Sequence, residues 1–208
     1  MGSEDDARTL IRALGLIPLA ITQAAAYLAV RPQAKNFSRY LLLFRESNQA
    51  NILSNKAVTG IRRDDSVSHA VITAWQISFD QIQKTIPEAA DLLALMAMFV
   101  RQAIPESIVS VGRTNLQFED ALSLLSRYFL INVLATKKKD SQFEQRLFDM
   151  HELVKLATRK WLEIKGQIRR WRKAFLRIIA AAFPSRDHET WGACRALLPQ
   201  PERCSTMF

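Results

Sequence analysis

The feature that most constrains this fold is a helical spacing of apolar residues, which runs through most of the chain and changes once to a strand-like pattern. The change lies between Tyr128 and Met150. Residues 128–134 (YFLINVL) are rich in β-branched and aromatic side chains, and residues 143–150 resume with partial alternation after a polar stretch. This pattern predicts a β-hairpin. We therefore expect a mainly α-helical chain with a small β-hairpin.

The strongest boundary signal is residues 47–68, which lose the helical period and collect Asn, Ser, Gly and charged residues. Helices followed by a hairpin and a closing helix are typical of a winged-helix-like module. A further amphipathic helix from Gln167 is typical of the start of an α-helical repeat. The predicted ranges are a helical domain at 1–48, a linker at 49–68, a winged-helix-like domain at 69–164, the first helices of a helical repeat region at 165–200, and a disordered tail at 201–208.

Composition narrows the class of protein further. The chain has 208 residues, and its longest apolar runs are interrupted before the ~18–20 residues that a membrane span needs. The acidic N-terminal sequence MGSEDDARTL differs from a basic targeting leader, so we expect a cytoplasmic protein without a membrane partner. Cys194 and Cys204 have no CxxC partner, so neither a disulfide framework nor a zinc site is expected.

Positive charge is concentrated in one part of the chain. The formal net charge is +9, and residues 137–177 hold 13 Lys or Arg against 5 Asp or Glu. Such a block is typical either of a solvated helix face or of an anion-binding patch. The candidate residues for an anion or nucleic-acid patch are Lys137, Lys138, Lys139, Arg169, Arg170, Arg172 and Lys173.

No catalytic motif is present in the sequence. His69, His151 and His188 are widely separated, and neither HExxH nor GxSxG occurs. The sequence also lacks the phosphate-binding pattern GxxxxGK[ST]. We therefore expect a protein that is not an enzyme and that binds no cofactor in isolation.

Residues 15–20 carry the first family resemblance. Gly15-Leu16-Ile17-Pro18-Leu19-Ala20 (GLIPLA) resembles the GLPLA motif of the NB-ARC nucleotide-binding module of STAND ATPases and NLR-type receptors, with one residue inserted. In that family the proline lies against the adenine of the bound nucleotide, and Pro18 is the matching position. Gly15 and Pro18 equally suit a plain break between two helices, so both interpretations stay open on this stretch alone.

Residues 150–152 carry the second resemblance. Met150-His151-Glu152 looks like the MHD motif that ends the winged-helix domain of the same family, with Glu152 in place of Asp. The family resemblance implies that the histidine touches the β-phosphate of bound ADP. An imidazole at a helix N-terminus can donate a hydrogen bond to an anionic oxygen, although it can also be a structural cap.

Together the segments resemble fungal NLR-like proteins over residues 8–185, in a region that commonly leads into tetratricopeptide repeats. The resemblance places the Walker A and Walker B core before Met1, and so implies a fragment of an ADP- or ATP-dependent switch.

Three functions follow as hypotheses. The first is a non-catalytic regulatory part of a STAND/NLR-type ATPase that couples nucleotide state to protein assembly, with the rest of the module, a repeat domain or a second copy as partner. The second is a winged-helix nucleic-acid binder, which the scarcity of basic residues on the candidate recognition helices disfavours. The third is a helical scaffold that docks through exposed Trp161, Trp171 and Phe175.

Overall fold

Helices dominate the computed structural model, which describes residues 4–30, 36–54, 65–99, 102–136 and 145–182. The elements in chain order are α1 (Glu4–Ala13), α2 (Pro18–Val30), α3 (Phe37–Ser54), α4 (Asp65–Thr85), α5 (Pro87–Met96), β1 (Ile104–Pro105), α6 (Glu106–Val109), α7 (Asn115–Arg127), β2 (Ile131–Thr136), β3 (Gln145–Met150), α8 (Glu152–Ile164) and α9 (Ile168–Ala182). The strands form one antiparallel sheet in the order β1-β3-β2. The prediction of a mainly α-helical chain with a small hairpin is confirmed.

Helix starts follow from local hydrogen bonds that the sequence signals. Helix α3 begins after Asn36, whose Oδ1 accepts the backbone N–H groups of Ser38 and Arg39 at 2.9 and 3.2 Å. Helix α7 begins with a reciprocal pair in which Thr114 Oγ1 accepts the Gln117 N–H and Gln117 Oε1 accepts the Thr114 N–H, each at 3.3 Å. Both arrangements satisfy N–H groups that a helix start leaves without intrahelical partners.

The hairpin begins later than the sequence pattern predicts. Phe129 has a φ of 53°, in the left-handed region, and the Leu130 N–H donates to the Leu125 carbonyl at 3.1 Å. This closes α7 with a left-handed turn, so residues 128–130 cannot continue into a strand and β2 begins at Ile131. The strand propensity of Tyr128 and Phe129 is thus overridden by the helix end.

A third strand was missed by the sequence analysis. Residues 104–106 predict the start of a short helix, but Ile104 and Pro105 form β1, antiparallel to β3 with Ile104 opposite Phe148 and Pro105 opposite Leu147. Proline lacks an N–H donor and is tolerated on an edge strand, the position that β1 occupies. A strand of two residues carries too few positions for a period of two to be visible.

Helices enter the predicted linker from both sides. Helix α3 continues to Ser54 and α4 begins at Asp65, so parts of residues 49–68 are helical. Polar residues without an apolar stripe can extend a helix whose earlier turns are already packed. Residues 55–64 lie outside the described ranges, as do the predicted helix from 189 to 198 and the predicted tail at 201–208.

The described residues group into two compact units, one within 1–90 and 119–131, the other within 91–118 and 132–208. Helix α4, which the sequence analysis assigns to the second domain, packs against α2 and α3 in the first unit. The other domain ranges stay predictions.

The first unit is built on aromatic and small side chains. The ring of Tyr27 on α2 lies 5.3 Å from that of Tyr40 on α3, and Trp75 stacks on Phe79 of α4 at 4.8 Å. Ala20 and Ala24 are 0% and 2% exposed, which fits a close approach of α2 to its neighbours. The alanine-rich sequence of α2 is therefore a packing surface.

The second unit buries residues from strands and helices together. Phe148 of β3 is fully buried and lies edge-on to Phe118 with ring centres 6.2 Å apart. Phe175 of α9 meets Phe99 edge-on at 4.8 Å, and Trp171 is 6% exposed. The predicted docking face is therefore wrong for Trp171, which is core, while Trp161 and Phe175 are half-buried. The helical period of α9 points its aromatic side into its own unit.

Of the helices in the described part of the chain, none combines the length and the apolar character that crossing a bilayer requires.

Tyr40 gives a test of the first unit's core. Its hydroxyl is buried and has no hydrogen-bond partner among the described residues. Burial raises the pKa of Tyr40, and the electrostatic interaction with Tyr27 raises it further. We predict that Tyr40→Phe raises the free energy of unfolding by about 1 kcal/mol, because it removes an unsatisfied buried group and keeps the ring.

The effect should grow in alkali. A tyrosine in the unfolded chain ionises around 10.0, whereas buried Tyr40 stays neutral, so wild-type stability falls as pH rises through that value. Urea denaturation of both proteins below and above pH 10.0 should show a widening gap. The other tyrosines are common to both proteins, so a constant or shrinking gap would contradict this assignment.

Candidate functional site

The GLIPLA residues form a tight turn between α1 and α2. Gly15 and Leu16 have φ angles of 67° and 57°. The Gly15 N–H donates to the Arg12 carbonyl at 3.0 Å and the Leu16 N–H to the Ile11 carbonyl at 3.2 Å, the paired bonds of a Schellman helix end. The turn favours glycine at position 15 because of its left-handed backbone angle, and a Cβ there would also lie 3.3 Å from Ile17 Cδ1, a tight contact.

Pro18 is the first residue of α2 and is exposed. Proline suits this position because a helix start needs no N–H there and the ring sets the helical φ. The other residues of the motif differ in exposure: Leu16 is 68% exposed, Leu19 is half-buried, and Ala20 is 0% exposed and belongs to the core. The turn therefore leaves Leu16 and Pro18 exposed.

His151 is the N-cap of α8. Its backbone is extended (φ −64°, ψ 139°), and its Nδ1 accepts the backbone N–H of Leu153 at 3.1 Å. Because Nδ1 is the acceptor, the neutral ring carries its proton on Nε2. The side chain is exposed, so the Nε2–H is a donor on the solvent side of a helix N-terminus. Such a donor suits an anionic oxygen.

The two neighbours of His151 have different surroundings. Met150 ends β3 and is 2% exposed, so it belongs to the core. Glu152 is exposed in the first turn of α8, where a negative charge is favourable with respect to the helix dipole. Aspartate and glutamate both meet that requirement, so the departure from the MHD pattern leaves the helix start intact.

Residues that the sequence analysis missed hold β3 in place. The Glu106 carboxylate binds Arg146 through both oxygens, with Nε–Oε2 at 2.8 Å and Nη2–Oε1 at 2.5 Å. The Asp149 carboxylate accepts the Ala103 N–H at 2.7 Å, where Ala103 has a φ of 54°. Both interactions join strand β3, which ends directly before His151, to the segment around β1 and α6. The sequence offered one signal for Asp149: it alternates with buried Phe148 and Met150, as a side chain on the other face of a strand does.

The structure places the predicted site residues in separate parts of the chain. Pro18 belongs to the first unit and His151 to the second. Of the predicted basic patch, Arg169, Arg170, Arg172 and Lys173 are exposed on α9, and Lys137, Lys138 and Lys139 lie outside the described residues. No cluster of His, Cys, Asp and Glu suited to a metal occurs among the residues described.

Substitutions of His151 test its role as a cap. We predict that His151→Ala lowers the free energy of unfolding by about 1 kcal/mol, because the Leu153 N–H loses its acceptor. His151→Asn should stay within a few tenths of a kcal/mol of wild type, since asparagine is a good N-cap acceptor. Chemical denaturation of the three proteins measures both values. Equal loss in both variants would mean that the ring, and not the accepted hydrogen bond, stabilises this junction.

Comparison with known proteins finds similarity to an NLR-like protein but no matching family model. No protein-family model matches the chain. A protein of Hyaloscypha variabilis named "Nucleotide-binding leucine-rich repeat (NLR)-like protein" is 32% identical over 213 residues, which cover 98% of this chain and 20% of that protein. The chain thus spans a fifth of the relative's length. This similarity supports an NLR-like relationship, and the chain is similar over nearly its whole length to one segment of an NLR-like protein.

Proposed function

We propose that this chain is a non-catalytic regulatory part of a STAND/NLR-type switch, in which a helical region and a winged-helix-like region respond to bound ADP or ATP and control protein assembly. The observation that carries the proposal is the similarity of 98% of the chain to part of a protein named as nucleotide-binding and NLR-like. The order of the GLIPLA and Met150-His151-Glu152 motifs agrees with it.

The geometry of His151 supports a phosphate-facing role. Its Nδ1 is occupied by the Leu153 N–H, which orients the ring and leaves Nε2–H as the donor. The N-terminal end of α8, a helix of 13 residues, adds a partial positive charge at the same place. A β-phosphate oxygen of ADP would meet both. Loss of the nucleotide would leave His151 as a cap alone.

The geometry of Pro18 supports a role against the base. The left-handed backbone at Gly15 and Leu16 turns the chain so that the Pro18 ring is exposed at the start of α2. A proline ring is a flat apolar surface with no donor of its own. Adenine offers a matching apolar face, so packing rather than hydrogen bonding would be the contact.

The regulatory role follows from differential binding. A ligand shifts a conformational equilibrium only when it binds one state better than another. The resemblance assigns Pro18 and His151 to one nucleotide. Exchange of ADP for ATP would then favour a different conformation, and protein partners would sense that change.

The proposal predicts weak nucleotide binding by this chain alone. Its sequence has no GxxxxGK[ST] loop to cradle the phosphates, so calorimetric titration with ADP should show no micromolar affinity. Micromolar binding would contradict the assignment of these residues to a regulatory part.

A chimaera tests the histidine directly. This chain would replace the matching segment of the Hyaloscypha variabilis protein, and the ADP retained after gel filtration would be quantified. We predict that His151→Asn lowers ADP affinity about tenfold, since the shorter side chain keeps the cap but ends before the Nε2 position. The helix-cap comparison above provides the folding control. Unchanged ADP retention in the His151→Asn chimaera, with the wild-type chimaera loaded, would overturn the proposal.

A further inference from the structure

Helix α9 carries charge where a stable isolated helix would not place it. Its sequence, IRRWRKAFLRIIAAA, holds five basic residues and no acidic one. Arg169 and Arg170 lie in its first turn, where the helix dipole disfavours positive charge, and the last turn holds no basic residue. The arrangement therefore opposes the stability of the helix, which suggests that it serves another purpose.

Three of these cations form a line. Arg169, Lys173 and Arg177 are spaced four residues apart, so they share one face and span about 12 Å along the axis. We call these three residues the basic row. All three are exposed, and like charges at this spacing repel one another. None of the ion pairs found among the described residues involves the basic row.

An apolar side chain lies beside the basic row. Leu176 is 61% exposed on the same side of α9, because it is seven residues, about two turns, from Arg169 and three residues from Lys173. The aromatic side of the helix faces the other way: Trp171 is buried and Phe175 packs on Phe99. The outward face of α9 therefore consists of the basic row and one large apolar residue, Leu176, beside it.

These observations select among anionic partners. A single-stranded nucleic acid is held by stacking on exposed aromatic rings, but the aromatic rings of α9 face its own unit. A membrane-surface helix inserts its apolar face, and here that face is already packed. A phosphate backbone would match the cations but offer nothing to Leu176. An amphipathic acidic helix matches both, with carboxylates at four-residue spacing and an apolar residue between them.

We propose that the outward face of α9, formed by Arg169, Lys173, Arg177 and Leu176, docks an acidic amphipathic helix of a protein partner. The bound carboxylates relieve the repulsion within the basic row and offset the unfavourable charge at the start of α9. This inference is independent of the nucleotide proposal, since it uses neither Pro18 nor His151.

The test uses the full chain and a fluorescent synthetic helix with Glu at every fourth position and Leu between the carboxylates. Fluorescence polarisation should show binding that weakens with salt. The triple variant Arg169→Glu, Lys173→Glu, Arg177→Glu should lose at least about tenfold in affinity, and a peptide with Lys in place of Glu should then bind it. Leu176→Ser should weaken binding several-fold.

Matched controls separate this face from general charge. Arg39→Glu, Arg45→Glu, Lys84→Glu makes the same change at exposed positions of α3 and α4 and should leave peptide affinity unchanged. The single variant Arg169→Glu should also melt at a higher temperature than wild type, since it replaces a positive charge by a negative one in the first turn of α9. Equal loss in the control variant, or a lower melting temperature of Arg169→Glu, overturns the proposal.

The alternative partners are outcomes of the same experiment. A duplex RNA oligonucleotide and vesicles of phosphatidylserine with phosphatidylcholine are titrated alongside the peptide. Tighter binding to either one than to the acidic peptide, an unchanged affinity of Leu176→Ser, or no binding to the peptide overturns the assignment of an acidic helix to this face.

Discussion

The two-pronged ion pair between Glu106 and Arg146 is the interaction on which the second unit's site depends. It ties strand β3 to α6 at 2.5 and 2.8 Å, and both side chains are about a third exposed or less. The Arg146 guanidinium also lies 5.9 Å from the centre of the Phe118 ring. A planar guanidinium can bind a carboxylate through two parallel hydrogen bonds and also lie against an aromatic ring, and lysine lacks this planar geometry. With β3 held in this way, its end at Met150 and the start of α8 at His151 are fixed as well.

His151 shows how one side chain can cap a helix and still present a hydrogen-bond donor. An aspartate would cap α8 equally well, but its carboxylate would leave no donor pointing away from the helix after the cap is made. The imidazole has two nitrogens on opposite sides, so using Nδ1 for the Leu153 N–H determines what Nε2 can offer. Gly15 likewise has two roles, since it ends α1 and turns the backbone toward Pro18.

Helix α9 divides its surface between two tasks. Trp171 and Phe175 attach it to its own unit, and Arg169, Lys173 and Arg177 remain exposed on the outward side. The aromatic contacts stabilise a helix that its charge pattern weakens, which lets the chain keep a concentrated positive face. Arg170, whose guanidinium lies 5.2 Å from the centre of the Trp171 ring, sits between the two surfaces.

The sequence by itself determined the helices that begin at Pro18, after Asn36 and after Thr114, the strand pair around residues 131–150, and the turn at Gly15, because each depends on neighbours within a few residues. Tertiary structure decided that Ile104 and Pro105 become a strand, that α4 packs with α2 and α3, and that Trp171 is core. It also decided that Glu106 and Asp149 hold β3. The bonds of Asp149 and Glu106 alone join residues 46 and 40 positions apart, and a local pattern carries no record of which distant partner will meet it.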